Sequence, residues 1–216
     1  FGDTHQISEE HCVATRDELK QRICESVDRR RTQIEGIGDH IMANPELGFK
    51  EFETAKLVAE TMEEFGFTTE TGLARTGVKA VLKGKKPGPT VALIGELDSL
   101  GVADHPQVNS ETGAAHACGH NAQIAGLMGA MMAIADTQAA EELAGNIVFF
   151  AVPAEEYVEV EFRRDLVKAG ELSLLGGKCE LIKQGHFDDI DVAMMIHTHS
   201  DETMKKTGVS ASSNGF

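Results

Sequence analysis

From Thr15 to about Ala43, apolar residues recur near the 3.6-residue period: Leu19, Ile23, Val27, Ile34, Ile37 and Ile41, with charges such as Arg29 to Arg31 between them. This pattern predicts one amphipathic helix, opened by a capping box of Thr15 and Glu18 and ended at Asn44-Pro45. A second helix is expected from about Phe49 to Phe65, with Phe52, Ala55, Val58, Ala59, Met62 and Phe65 inward and Gly66 closing it. The period then shortens. Val78 to Leu82 and Thr90 to Glu96 read as strands, and the Lys-Gly-Lys-Lys-Pro-Gly-Pro run between them reads as the turn of an antiparallel hairpin. Val91 to Ile94 is apolar at consecutive positions, as in a strand covered on both faces. A helix rich in Ala, Gly and Met follows to about Gln138, with Asn121 as N-cap and Gly126, Gly129 and Ala130 allowing close approach to the sheet. Residues 145 to 152 form the strongest strand. A charged helical segment, a shorter helix near Leu181 and a buried strand from Val192 to Ile196 complete the order. The fold class is α/β, a single domain with helices on the faces of one sheet. Residues 1 to 14 show no period and read as a loose leader.

Charge narrows the partners. Lys and Arg total 20 against 35 Asp and Glu, a net charge of -15, so nucleic acid and anionic membrane surfaces are repelled and are not expected as partners. No apolar run approaches the roughly 20 residues that span a bilayer, nor does the N-terminus carry a signal-type segment, so a cytoplasmic location is the default. The four cysteines, Cys12, Cys24, Cys118 and Cys179, lie far apart without a CxxC pair, which fits reduced thiols. The chain starts without Met and stops at Phe216 after a Ser-Ser-Asn-Gly turn sequence, which reads as a piece of a longer protein.

The chemistry gathers at His116-Ala117-Cys118-Gly119-His120-Asn121, where metal-binding side chains crowd around a glycine that lets the backbone turn. Asp98, the pair Glu155 and Glu156, and His197 each stand just after a predicted buried strand. In parallel α/β sheets the crevice beyond the carboxyl ends of the strands is where such groups meet. Residues two apart do not face one another on a helix, so Cys118 and His120 are expected to reach a common site from the turning backbone before it. A mixed S, N and O donor set suits zinc, with manganese, cobalt or nickel where carboxylates dominate. Adjacent glutamates can divide the labour of amide hydrolysis, one binding metal and the other carrying a proton from water to the leaving amine. Two other readings are open here: Cys118 as a nucleophile activated by His120 or His116, and a fragment that binds metal without turnover. His116 is expected to make a supporting hydrogen bond, His199 to be a loop residue, and Met128, Met131, Met132, Met194 and Met195 to pack in the core.

Four ordered motifs resemble M20-type metallo-amidohydrolases of the Cys-Gly-His branch: Gly-Glu-Leu-Asp-Ser-Leu at 95 to 100, His-Ala-Cys-Gly-His-Asn at 116 to 121, Val-Pro-Ala-Glu-Glu at 152 to 156 and Ile-His at 196 to 197. The branch includes hydrolases of N-acyl amino acids, hippurate, auxin conjugates and aminobenzoyl-glutamate, together with dipeptidases. The resemblance runs from about residue 27 to the end. It implies a three-layer α/β/α sandwich with a mixed, largely parallel sheet like that of zinc exopeptidases. It also implies one or two divalent ions, zinc or manganese first, held by Cys118, His120, Glu156 and His197, with Glu155 as general base and Asp98 orienting a ligand histidine. The implied substrate is a small N-acyl amino acid or dipeptide. A further ligand histidine, the rest of the catalytic domain and a lid that makes a homodimer are implied to lie outside this chain. Asn121, Gln123, Glu96 and Gly101 stand where Asp, His, Asp and Pro are common, and the Tyr157 to Lys178 segment is longer than usual, its charges reading as a solvated helix.

Overall fold

The computed structural model describes residues 15–198. The expectations for residues 1 to 14, for Cys12, for His199 and for the Ser-Ser-Asn-Gly turn lie outside them. The capping box forms as expected: the Thr15 side chain accepts from the Glu18 N–H at 3.3 Å and the Glu18 carboxylate accepts from the Thr15 N–H at 2.7 Å. The single long helix does not. It divides at Arg30 into α1 (Arg16–Arg29) and α2 (Arg31–Ala43), with Arg30 at φ -88° and ψ 0°. A long-range ion pair fixes this corner. The Arg30 guanidinium donates twice to Asp136, at 2.7 and 2.9 Å, and the Ser26 hydroxyl donates to the same carboxylate at 2.7 Å.

The second helix, α3 (Phe52–Glu64), starts three residues later than expected. Its first turn is capped by a carboxylate from outside the helix, since Glu46 accepts from the N–H groups of Glu53 and Thr54 at 3.1 and 2.8 Å. Ala55, Val58, Ala59 and Met62 are buried as expected, but Phe52 is 53% exposed. Phe49 takes the inward role instead, fully buried at φ 63°.

The remaining elements are β1 (Thr69–Leu73), β2 (Gly77–Lys83), β3 (Lys86–Glu96), the two-residue strands β4 (Leu100–Gly101) and β5 (Ala114–Ala115), α4 (His120–Asp136), β6 (Ala144–Val152), α5 (Val160–Lys168), α6 (Gly177–Lys183) and β7 (Val192–Met195). The main sheet has the order β1-β2-β6-β3-β7, parallel along β6, β3 and β7 and antiparallel at β1 and β2; β4 and β5 pair separately. The predicted hairpin is thus replaced. β2 pairs with β1, a strand absent from the sequence reading, and β6 lies between β2 and β3. The reason is burial: Val148 to Val152 is wholly buried, so both backbone edges of β6 need strand partners. Gly145, at φ 86°, lets β6 begin hard against the backbone of Gly88 and Pro89.

Alternation along β6 divides the core between two faces. Phe149 and Ala151 pack with Val58, Met62, Ile124, Met128 and Met131 on the side of α2, α3 and α4. Val148, Phe150 and Val152 pack with Ala92, Leu166 and Leu181 on the side of α5 and α6. The architecture is therefore a three-layer α/β/α arrangement around a mixed sheet. Met128, Met131 and Met132 are core residues, as expected.

Several local expectations fail for identifiable reasons. Asn121 is not the N-cap of α4; Gly119 is, at φ 102°, and His120 is the first helical residue. Gly129 faces Ile34 of α2, Gly126 has open space, and the residue that brings helix and sheet together is Gly95 on β3, where a Cβ would lie 2.9 Å from Ile124. The last strand forms but is not buried: Val192, Met194 and Met195 are exposed, because β7 is the sheet's edge among the described residues. Nor is the 157 to 178 segment a solvated helix throughout. Arg163 on α5 is fully buried.

Candidate metal centre

β3, β6 and β7 run parallel, and their carboxyl ends deliver the predicted residues to one place. β3 ends at Glu96, with Asp98 just beyond; Glu155 and Glu156 follow β6, and His197 follows β7. His120 enters from the first turn of α4. Glu96 and Asp98 are both buried and approach its two ring nitrogens from opposite sides. Nδ1 donates to the Asp98 carbonyl at 2.8 Å and lies 3.4 Å from Asp98 Oδ1. That contact leaves Nε2 to face Glu96 Oε2 at 3.0 Å, buried and without a well-aligned hydrogen bond.

His197 is oriented in the same manner. Its Nδ1 donates to the Thr198 carbonyl at 2.7 Å, which turns Nε2 toward Cys118 Sγ at 3.2 Å. Cys118, His120 and His197 each present a ligand atom within 4.8 Å of the others, and Glu96, His120 and Glu155 form a second such group. Glu156 belongs to neither group. Its backbone N–H donates to Asp98 Oδ2 at 2.9 Å, and its carboxylate helps to raise the Cys118 thiol. His116 is buried, and neither ring nitrogen has a hydrogen-bond partner, so the expected supporting bond is absent among the described residues.

The electrostatics are dominated by crowded carboxylates. Burial pushes the Cys118 thiol up, and Glu156, Glu155 and Glu96 push it further, to about 12. Burial opposes protonation of His120, but Asp98 and Glu96 outweigh it and hold the imidazolium up to about 10. Glu96 is raised by burial yet brought down to about 2 by His120 and Lys178. Glu155 is raised, first by burial and then by the charge of Glu96. His116 falls to about 4 through burial. A group of thiol, imidazole and carboxylate donors under a strongly negative field, with the buried His120 Nε2 unbonded, fits a divalent cation.

Comparison with known proteins shows the family. The profile of Peptidase family M20/M25/M40 matches residues 92–212, more than half of the chain and every segment of the site. The chain belongs to this family. Among curated relatives of this M20 chain, Thermostable carboxypeptidase 2 of Saccharolobus solfataricus is 32% identical over 81% of the chain and 43% of the relative's length. The N-acyl-L-amino acid amidohydrolase of Geobacillus stearothermophilus is 30% identical over 88% of the chain and 47% of its own length. A Bacillus subtilis protein described as a dinuclear metal-binding peptidase of the M20 family superposes with a TM-score of 0.65 at 25% identity, covering 81% of this chain and 45% of that one. The chain thus spans less than half the length of these relatives.

Sequence reading missed several residues that shape the site. Gln123 joins two strands: its carbonyl accepts from the Glu96 N–H at 2.6 Å and its amide donates to the Ile196 carbonyl at 2.7 Å, next to His197. Lys178 on α6 donates to Glu96. Glu51 and Arg163 are buried beneath the Glu155-Glu156 turn. Glu51 and Arg163 are distinguished from surface charges only by their burial, and Lys178 only by its contact with Glu96 from another element. Gln123 carried a faint signal, as a polar position one helical turn after His120 on the inward face of an otherwise apolar helix.

Proposed function

We propose that this M20 chain carries part of the active site of a metal-dependent hydrolase that cleaves the amide bond of an N-acyl amino acid or dipeptide. The observation that carries the reading is the convergence of Cys118, His120 and His197 beside Glu155 at the carboxyl ends of parallel strands. Its relatives, named as a carboxypeptidase and an N-acyl-L-amino acid amidohydrolase, point to the same bond type. Cys118, His120, Glu156 and His197 would hold one or two divalent ions, zinc or manganese before cobalt or nickel. Such an ion, when bound, supplies a Lewis acid for the substrate carbonyl and makes water nucleophilic near neutral pH.

The remaining roles belong to the chain. Asp98 keeps the Nδ1 proton of His120 engaged, so that Nε2 is the free donor. Glu155, half-buried and raised by its surroundings, is a stronger base than an exposed carboxylate. It takes the proton of the attacking water at a carboxylate oxygen and delivers it to the amide nitrogen as the C–N bond breaks, leaving an acid and an amine. A nucleophilic role for Cys118 activated by His120 or His116 is disfavoured, since Sγ faces His197 Nε2 at 3.2 Å within the candidate ligand group.

The longer polypeptide would add a lid, a homodimer contact and the remaining ligand, with residues 1–216 as one catalytic-domain segment. No helix among the described residues is long and apolar enough to cross a membrane; a cytoplasmic location remains part of the proposal. Activity of the full-length protein on N-acyl amino acids, before and after complete chelation and after zinc or manganese is restored, tests the reading. Turnover that survives full metal removal would sink it. Assay of residues 1–216 alone decides whether the segment is competent without the rest.

A further inference from the structure

We infer that Arg163 is a positioning residue for the Glu155-Glu156 pair, acting with Glu51 through the backbone of Ala154. The inference rests on the proposed function of that pair. Arg163 projects from α5 and is fully buried, flanked by the rings of Phe49 and Tyr157 at 5.2 and 5.7 Å. Its guanidinium donates to three backbone carbonyls: Leu175 at 2.9 Å, Ala154 at 3.5 Å, and Glu156. No carboxylate among the described residues forms an ion pair with it. A buried cation met only by carbonyls, its Nε without a partner among the described residues, is poor stabilisation compared with an apolar side chain of the same volume. Its value is geometric, because the planar fork fixes several acceptors at once.

What it fixes is a strained turn. Ala154 sits at φ 49°, a left-handed conformation that a non-glycine residue holds only when its surroundings enforce it. Its N–H donates to Glu51 Oε1 at 2.8 Å, and its carbonyl accepts from Arg163 and from the Gly177 N–H at 3.1 Å. Glu51 is itself fully buried and locked by the Thr76 hydroxyl at 2.7 Å. Two buried polar side chains, Glu51 and Arg163, thus grip the two ends of one residue. Glu156 is gripped as well, its N–H by Asp98 and its carbonyl by Arg163. Gly48 completes the fit: a Cβ there would overlap the guanidinium and lie 3.0 Å from Ala154. The segment from 157 to 178 therefore supplies a brace under the general base and its neighbour.

The test compares Arg163→Met and Leu166→Ala in the 1–216 chain, by amide hydrogen exchange and by zinc affinity in competition with a chelator. Leu166 lies on the same helix and is buried in the core without bonding the turn, so it reports generic loss of packing. Arg163→Met is expected to speed exchange at Ala154, Glu156 and Gly177 while β6 stays protected, and to weaken zinc binding about 10- to 100-fold. Leu166→Ala should leave zinc affinity within about threefold of the parent, the spread expected of a site whose ligand supports are intact. Equal weakening by both variants, or unchanged exchange at the turn in Arg163→Met, overturns the inference. If the parent chain binds no zinc, the residues present do not hold the ion without the rest of the polypeptide, and exchange at the turn alone then decides the brace. Should Arg163→Met not fold, Arg163→Lys, which keeps the charge but loses the fork, is measured instead: loosened exchange at the turn upholds the brace and parental exchange refutes it.

Discussion

Replacing Asp98 by Asn separates support of the site from support of the fold. Asp98 is completely buried, and one carboxylate oxygen accepts from the Glu156 N–H at 2.9 Å while the other lies 3.4 Å from His120 Nδ1. Asn keeps the shape. Its oxygen can still receive Glu156, but its amide then faces the Nδ1–H, donor against donor. The bond to Glu156 changes from charged to neutral, a loss of about 1 to 1.5 kcal/mol. Loss of a group that orients a metal ligand weakens binding by about 10- to 100-fold, or roughly 1.4 to 2.7 kcal/mol. Stability should behave differently, because the Asp98 charge also raises buried Glu51, and removing it relieves that repulsion. We therefore expect zinc affinity to fall at least about tenfold while the thermal midpoint moves by no more than about 4 °C, the shift of roughly 1 kcal/mol in a domain this size. Competition titration with a chromophoric chelator and a thermal melt in its absence measure both. Zinc affinity within about twofold of the parent would refute the orienting role, and a large fall in midpoint would make Asp98 a folding residue first.

Other outcomes follow from the same geometry. Cys118→Ser should lose the thiolate-to-metal charge-transfer band of the cobalt-loaded chain and weaken zinc binding, and a retained band would place the thiol outside the site. Glu51, raised to about 7 by burial and then by Asp98, binds its proton more tightly folded than unfolded, so its contribution is intact below about pH 4.5 and is lost as pH rises through 7. Glu51→Gln should flatten this fall, measured as urea midpoints across pH 4 to 8, and a parental slope would contradict the assignment. Gln123→Ala removes two bonds that tie β3 to the Ile196 carbonyl. It should cost about 1 to 3 kcal/mol for the buried groups left unpaired and speed exchange near His197, whereas exchange unchanged there would show that Gln123 does not hold the strand end.

The motifs were legible because their chemistry is local. His116 to Asn121 announces itself through ligand types around a glycine, and Glu155-Glu156 through its place after an unbroken apolar strand. Strand ends predicted from such runs did meet, since parallel strands joined by crossover helices must present their carboxyl ends on one side. Glu96 was legible as a carboxylate but not as the partner of His120 and Lys178, because both contacts come from other elements. Arg163 reads in sequence like any helix-face arginine. Nothing nearby in the chain tells of the three carbonyls that receive it.

By itself the sequence determined the periods of helix and strand, the α/β class, the capping box at Thr15 and the identity of the donor groups, all consequences of near-neighbour spacing. The tertiary structure alone decided the break at Arg30, the insertion of β6 between β2 and β3, the exposure of β7 and the brace of Glu51 and Arg163 under the glutamate turn. Each of these depends on which distant group satisfies a buried charge or an open backbone edge. Spacing along the chain does not carry that information.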